Sequence, residues 1–170
     1  MTAELIPVAI GLGGNLGDAP ATLADAVAAL GVHPALHDVQ ASPLFRSAPI
    51  GPAGQPDYAN AVVVARTALA PEPLLDLLQS LEQAAGRERL VRWGARTLDL
   101  DLLLYGNQVV CSARLTVPHA EMTARPFVLQ PLLLLWPTAR LPDGRALADL
   151  PAAHDARGLS RWPHPCWPGA

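Results

Sequence analysis

The order in which two hydrophobic periods alternate constrains this chain more than any other feature. Leu5 to Gly11 reads as a short buried strand ending at glycine. Asp18 then suits the N-cap of a helix with Pro20 in its first turn. Leu23, Ala26, Val27 and Leu30 recur at helical spacing, and Gly31 closes the element. Leu36 to Phe45 and Ala59 to Arg66 read as strands, separated by a proline- and glycine-rich loop from Ser47 to Pro56. Pro71 opens a second helix, with Leu74, Leu77, Leu78 and Leu81 on one face, that ends near Gly86. An arginine-rich loop leads to a fourth strand, Leu98 to Tyr105, in which Leu98, Leu100, Leu102 and Leu104 share one face by period two. The succession strand, helix, strand, strand, helix, strand is the split βαβ, ferredoxin-like α+β arrangement: an antiparallel sheet with helices on one face. A hairpin around Val109 to Val117 and a helix near Arg125 to Leu135, opened by Pro126, are expected to follow. From Pro137 the chain turns Pro-, Arg- and Gly-rich. Residues 143–170 are therefore expected as an irregular tail, packed by its tryptophans against a core spanning about 5–142.

At 170 residues the chain fits one domain. Its 51% apolar and 16% charged residues argue for a packed core rather than disorder. The longest apolar runs, such as Leu132 to Trp136, are far short of the ~20 residues that cross a bilayer. No basic segment precedes an apolar run at Met1 to Leu5, so no signal peptide is expected. Cys111 and Cys166 lie far apart without metal-ligand spacing and read as reduced thiols, which fits a cytoplasmic protein. A net charge of −3 argues against a general nucleic-acid binder. All twelve basic residues are arginine, and four of them, Arg87, Arg89, Arg92 and Arg96, fall within ten residues. Guanidinium forks so concentrated suit phosphate, although a solvated charged loop fits the same pattern.

Asp99-Leu100-Asp101 is the sharpest local feature, because aspartate is depleted in strands. At i and i+2 the two side chains leave one face, about 6–7 Å apart. Carboxylates so placed repel, and shared cations relieve the repulsion. Hard oxygen ligands select magnesium, and a metal pair ~3.5–4 Å apart is a common clamp for phosphoryl-type transfer. Two exposed aspartates on a half-solvated strand fit the bare motif as well. Arg114, His119 and Arg125 follow downstream. Metals and arginines together suit a polyphosphate, whose transfer depends on positioning and charge neutralisation. Gln79 and Glu82 lie one helical turn apart, either facing a nucleotide or lying as surface polar residues. The remaining histidines, His33, His37, His154 and His164, read as surface. Gly11-Leu-Gly-Gly-Asn-Leu-Gly17 lacks the third glycine of a dinucleotide fingerprint, and reads as a turn that lets strand and helix pack tightly. Asn60 offers donors and an acceptor in one plane, which suits a heterocycle edge, and Tyr58 and Phe127 are available to stack on a flat ring. Core aromatics and a turn asparagine would look the same.

Read in order, the motifs resemble the 6-hydroxymethyl-7,8-dihydropterin pyrophosphokinase family. They are Gly11 to Asp18, Pro49-Ile-Gly-Pro52, Gln55 to Asn60, Leu81-Glu82, Gly86 to Arg89, Arg92 to Asp101, Leu115 to His119, and Arg125 to Leu129. The resemblance covers about Val8 to Pro142. It implies a ferredoxin-like fold and transfer of pyrophosphate from ATP to the hydroxymethyl-dihydropterin, giving AMP, in folate biosynthesis. Asp99 and Asp101 match the ligands of two magnesium ions bound with ATP, and with Arg87 and Arg89 they match the catalytic set. Gln79, Glu82, Arg87, Arg89, Arg92, Trp93, Arg96, Leu102, Arg114, Thr116, His119 and Arg125 match positions that contact ATP. Ser47, Ala48, Ile50, Tyr58, Asn60, Trp93 and Phe127 match the pterin pocket. The chain departs from the family pattern at Gly14, where serine is usual, and at Ala48 and Ala95, where proline is usual. The stretch between Arg89 and Trp93 is a residue shorter than in some relatives. No side chain stands out as a general base for the substrate hydroxyl. A monomer acting on these two small molecules is expected, with neither nucleic acid nor membrane as partner. Two other classes fit the bare residues: a metal-dependent nucleotidyl- or glycosyl-transferase using Asp-x-Asp, and a non-catalytic ferredoxin-like module binding an anionic partner.

Overall fold

The computed structural model describes residues 4–49, 53–86 and 97–168. In chain order its main elements are β1 (Ile6–Gly14), α1 (Ala19–Val32), β2 (Leu36–Ala41), β3 (Phe45–Ser47), β4 (Tyr58–Thr67) and α2 (Pro71–Ala84). They are followed by β5 (Asp99–Tyr105), β6 (Val110–Cys111), β7 (Thr116–Val117), α3 (Pro126–Leu135) and β8 (Leu159–Arg161). The central sheet runs β5-β1-β4-β3-β8, with β2 also paired to β4, and its ladders are antiparallel. β6 and β7 form a separate two-stranded ladder.

Both faces of the sheet are packed. On one, Val8, Ile10 and Leu12 of β1, Ala61 and Val63 of β4 and Leu100 and Leu102 of β5 meet the apolar faces of α1 and α2. On the other, Ala9, Val62, Leu103 and Leu104 meet Val128, Leu129 and Leu132 of α3 and the turns after it. α1 begins as its sequence suggests, with Asp18 Oδ1 accepting the Ala21 N–H at 3.2 Å and proline in the first turn. It continues past Gly31 to Val32 rather than closing at the glycine, which has no positive φ. The inward face of α2 is rotated from the expected leucine stripe. Leu74, Leu75, Leu78 and Glu82 are buried while Leu77 and Leu81 are only partly so, because the edge strand β5 packs beside the helix.

Four further expectations are corrected. The strand expected from Leu36 to Phe45 is split at Ser42-Pro43-Leu44. Pro43 has no N–H for the ladder, and the Ser42 hydroxyl instead accepts the Val62 N–H at 2.9 Å. Leu104 does not share a face with Leu98, Leu100 and Leu102. A register shift pairs Ala9 with Leu104 but Ile10 with Leu102, which turns Leu103 and Leu104 together toward α3. The glycines at 11, 13 and 14 lie inside β1, not in a turn after it. The C-terminal stretch is not merely irregular: β8 extends the sheet on β3, and Trp162 N–H donates to Leu44 O at 2.9 Å. Its tryptophans do pack, with Trp167 only 4% exposed and its Nε1–H donating to Ser42 O at 2.9 Å.

Candidate active site

β5 is the terminal strand of the sheet, so alternate backbone groups face away from β1. Leu100 N–H is one of these, and Glu82 of α2 supplies its acceptor, Oε2 at 2.9 Å. By the two-residue period the backbone groups of Leu102 share that direction. They face a cleft of about 420 Å³ between α2, β5 and the β7 region. Gln79, Glu82, Asp101, Leu102, Arg114, Thr116 and His119 all line it. Seven positions named from the sequence, spread over forty residues, thus meet in one space.

Within the cleft the charged groups are tied. Arg114 Nη2 donates to Asp76 Oδ1 at 2.6 Å and to Gln79 Oε1 at 3.2 Å. The hydrogen bond and charge of Asp76 raise the Arg114 pKa further above its ordinary value. His119 follows a cis Val117–Pro118 peptide, and its own N–H donates to Leu103 O at 3.1 Å. His119 Nδ1 accepts the Glu121 N–H at 3.3 Å, so the neutral ring carries its proton on Nε2, which lies 3.9 Å from Asp101 Oδ2. Arg125 pairs with Glu121 and holds its guanidinium 5.6 Å from the Phe127 ring.

Asp99 and Asp101 project from the face of β5 opposite Leu100 and Leu102, and both are partly exposed. Register carries that face across the sheet. Asp101 is opposite Gly11 and Asp99 is opposite Gly13, while Gly13 in turn is opposite Asn60 of β4. Residues directly opposed in an antiparallel sheet share a face. Asp99, the bare Gly13 and the Asn60 amide therefore lie in one line, with Asp101 two residues along on the same face, the side that carries α3 and Phe127. Asn60 is only 4% exposed, and its Nδ2 donates to Ser47 Oγ at 2.6 Å and to Tyr58 O at 3.3 Å. Tyr58 and Ser47 are opposed to each other and fall on the same face as Asn60, and Ala48 follows as an exposed residue. Ile50, Arg87, Arg89, Arg92, Trp93 and Arg96 lie outside the described residues.

Sequence reasoning missed two contributors. Asn15 is buried, and its Nδ2 donates to Gln55 Oε1 at 3.2 Å and Pro56 O at 3.0 Å, stapling the end of β1 to the loop before β4. Its only local signal was a polar side chain among glycines. Asp76, the partner of Arg114, looked like any acidic residue on a helix. Among the histidines read as surface, His164 is in fact half-buried, 3.6 Å from Asp18.

Among the described residues, no three His, Cys, Asp or Glu side chains converge as a metal cage. A pair of carboxylates completed by substrate phosphates and water is how magnesium is usually held, so the donor set fits that ion. An oxygen-donor pair beside a cleft with arginine and histidine, in line with a buried amide, describes an enzyme that moves a phosphoryl-type group between small molecules. The comparisons narrow the class. A family description, 7,8-dihydro-6-hydroxymethylpterin-pyrophosphokinase, matches residues 9–137. The chain is 48% identical over 156 residues to a 2-amino-4-hydroxy-6-hydroxymethyldihydropteridine pyrophosphokinase of Pseudomonas aeruginosa, covering 92% of this chain and 96% of that one. It is 44% identical over 146 residues to the Haemophilus influenzae protein of the same name, covering 86% and 91%. In fold it resembles the Plasmodium falciparum HPPK-DHPS A437G structure with SDX-DHP, with a TM-score of 0.72 at 11% identity over 94% of this chain. It spans about half of that structure's chain, 49%. The chain belongs to the 7,8-dihydro-6-hydroxymethylpterin-pyrophosphokinase family.

Proposed function

We propose that this chain transfers the pyrophosphoryl group of ATP to 6-hydroxymethyl-7,8-dihydropterin, releasing AMP, as a step of folate biosynthesis. The observation that carries this reading is the line Asp99–Gly13–Asn60 across three strands, beside a cleft holding Gln79, Arg114, Thr116 and His119. ATP occupies the cleft along the outer edge of β5, where the Leu102 backbone meets the adenine edge. Gln79 and Glu82 lie on the α2 side, and Arg114, Thr116, His119 and Arg125 face the phosphates. The pterin lies on the other side of the strand, its amide edge on Asn60, with Ser47, Ala48, Ile50 and Trp93 around it and Tyr58 and Phe127 on its ring faces.

Asp99 and Asp101 hold magnesium, two ions arriving with ATP. When bound, that metal supplies neutralisation of the charge spread over the phosphates. Arg87, Arg89, Arg92 and Arg96 add guanidinium charge to the same group. The hydroxymethyl oxygen attacks the β-phosphorus, the bond from that phosphorus to the α,β-bridging oxygen breaks, AMP leaves, and the hydroxyl proton passes to solvent. His119, whose Nε2 lies 3.9 Å from Asp101 Oδ2, stands beside that carboxylate at the phosphate end of the cleft. Strand order and antiparallel pairing support a ferredoxin-like core in a single domain. No described helix is long and apolar enough to cross a membrane. The net charge of −3 accords with action without nucleic acid, and the free Cys111 and Cys166 accord with a cytoplasmic protein.

Phosphorus NMR of the protein with ATP, magnesium and the reduced hydroxymethylpterin tests the proposal. AMP and a pterin diphosphate are expected. ADP as product would redirect it to an ordinary kinase, and no turnover would leave only a binding module.

A further inference from the structure

Gly13 poses a question that the fold does not answer. A glycine inside a strand weakens it, and the usual reasons for tolerating one are a positive φ or a close neighbour. Neither applies here. Gly13 is absent from the positive-φ residues of the described chain, and a Cβ built on it would meet Ala59 O and Asn60 Oδ1 only at 3.8 Å, ordinary contact. Gly11 differs. It is buried, and a Cβ there would rest on the Leu103 side chain at 3.4 Å, so its size is matched to packing. Gly13 is partly exposed, and among the described residues no other atom stands within 4 Å of a Cβ built on it.

What surrounds that space gives the reason. Gly13 is paired to Asp99 on one side and to Asn60 on the other. Neighbouring strands are ~4.7–4.9 Å apart, which sets Asp99 and Asn60 about 9–10 Å from each other across the glycine. We infer that Gly13 is a positioning residue: its missing side chain is the floor over which the acceptor's hydroxymethyl arm reaches from the Asn60 amide to the phosphate group at Asp99 and Asp101. The inference rests on the proposed reaction. Any side chain at 13 stands on the same face as Asp99 and Asn60 and fills the gap that the hydroxymethyl arm must cross to reach the β-phosphorus. Nucleotide on the outer edge of β5 lies beyond Asp99 and is spared.

Gly13→Ala, backed by Gly13→Ser, tests this by thermal unfolding, magnesium-ATP binding, binding of the hydroxymethylpterin and steady-state turnover. A displacement of ~1 Å between reacting groups lowers rates by about a hundredfold, so kcat/KM for the pterin is expected to fall between tenfold and a hundredfold. Unfolding temperature should hold or rise, and magnesium-ATP affinity should stay within about twofold. Turnover and pterin affinity equal to wild type in both variants would overturn the inference. So would a matching loss of nucleotide affinity or a fall in unfolding temperature, since either marks a structural role. A wild type that forms no pterin diphosphate refutes the reaction itself. An active wild type beside an equally active Gly13→Ala refutes only the role of Gly13.

Discussion

Glu82 links the helix to the strand that carries the acidic pair, and replacing it measures how far that strand depends on a single side chain. Glu82 is 6% exposed, and its carboxylate accepts the N–H of Leu100, which lies between Asp99 and Asp101 in sequence, at 2.9 Å. A hydrogen bond to a charged group contributes about 1.5–3 kcal/mol and a neutral one about 0.5–1.5 kcal/mol. Glu82→Gln keeps an acceptor oxygen and loses the charge, so it should destabilise by about 1 kcal/mol. Glu82→Leu keeps comparable bulk but leaves the buried N–H without this acceptor, at about 1–3 kcal/mol. For a chain of this size 1 kcal/mol corresponds to about 2–4 °C. The expected falls in unfolding temperature are therefore about 2–4 °C for Gln and about 2–12 °C for Leu. Urea titration followed by far-UV circular dichroism checks the free energies, and turnover on the same samples checks whether Asp99 and Asp101 have lost alignment. A Glu82→Leu protein as stable and active as wild type would refute the reasoning. Equal losses for Gln and Leu would show that charge, not the acceptor, matters.

Asp101→Asn should keep the fold, judged by circular dichroism, and reduce turnover by about a hundredfold or more, since metal stabilisation of transition-state charge amounts to several kcal/mol. Trp167→Phe leaves the buried Ser42 carbonyl without the indole N–H and should lose about 1–3 kcal/mol in urea unfolding, although it lies in the C-terminal stretch. Asp155 has its pKa lowered from 3.8 to about 2, chiefly by the Arg157 side-chain hydrogen bond. A depressed carboxylate pKa contributes stability that is complete above the unfolded value and lost as pH falls through the folded one. Asp155→Asn should thus differ from wild type above pH 3.8 and converge with it below about 2 in denaturant titrations across that window, weakly and less so in high salt, because the pair is solvent-exposed.

Local pattern was enough to read the elements that build the site. The helical spacing of Leu23 to Leu30 placed α1, and the run Ala61 to Val64 placed β4. Period two alone put Asp99 and Asp101 on one face, because adjacent strand residues must alternate. Local pattern failed where distant partners choose the outcome. Leu104 followed the alternation of its neighbours, but a bulge opposite Ala9 and Ile10 turned it to the other core. Leu159 to Arg161 carries no strand signature of its own and became one by pairing with the short β3.

The kind of chemistry was set by residue types and spacing in the sequence: hard oxygen ligands two apart, arginines close by, and planar amide and aromatic groups elsewhere. Tertiary structure decided which of the described ones lie together. The alignment of Asp99, Gly13 and Asn60 requires two independent ladders to hold one register, and a one-residue slip in either would turn a member to the opposite face. Side-chain alternation is a property of a single segment and can be read from it. Register between segments is settled only by the packing of both faces of the sheet at once, which no short stretch of sequence contains.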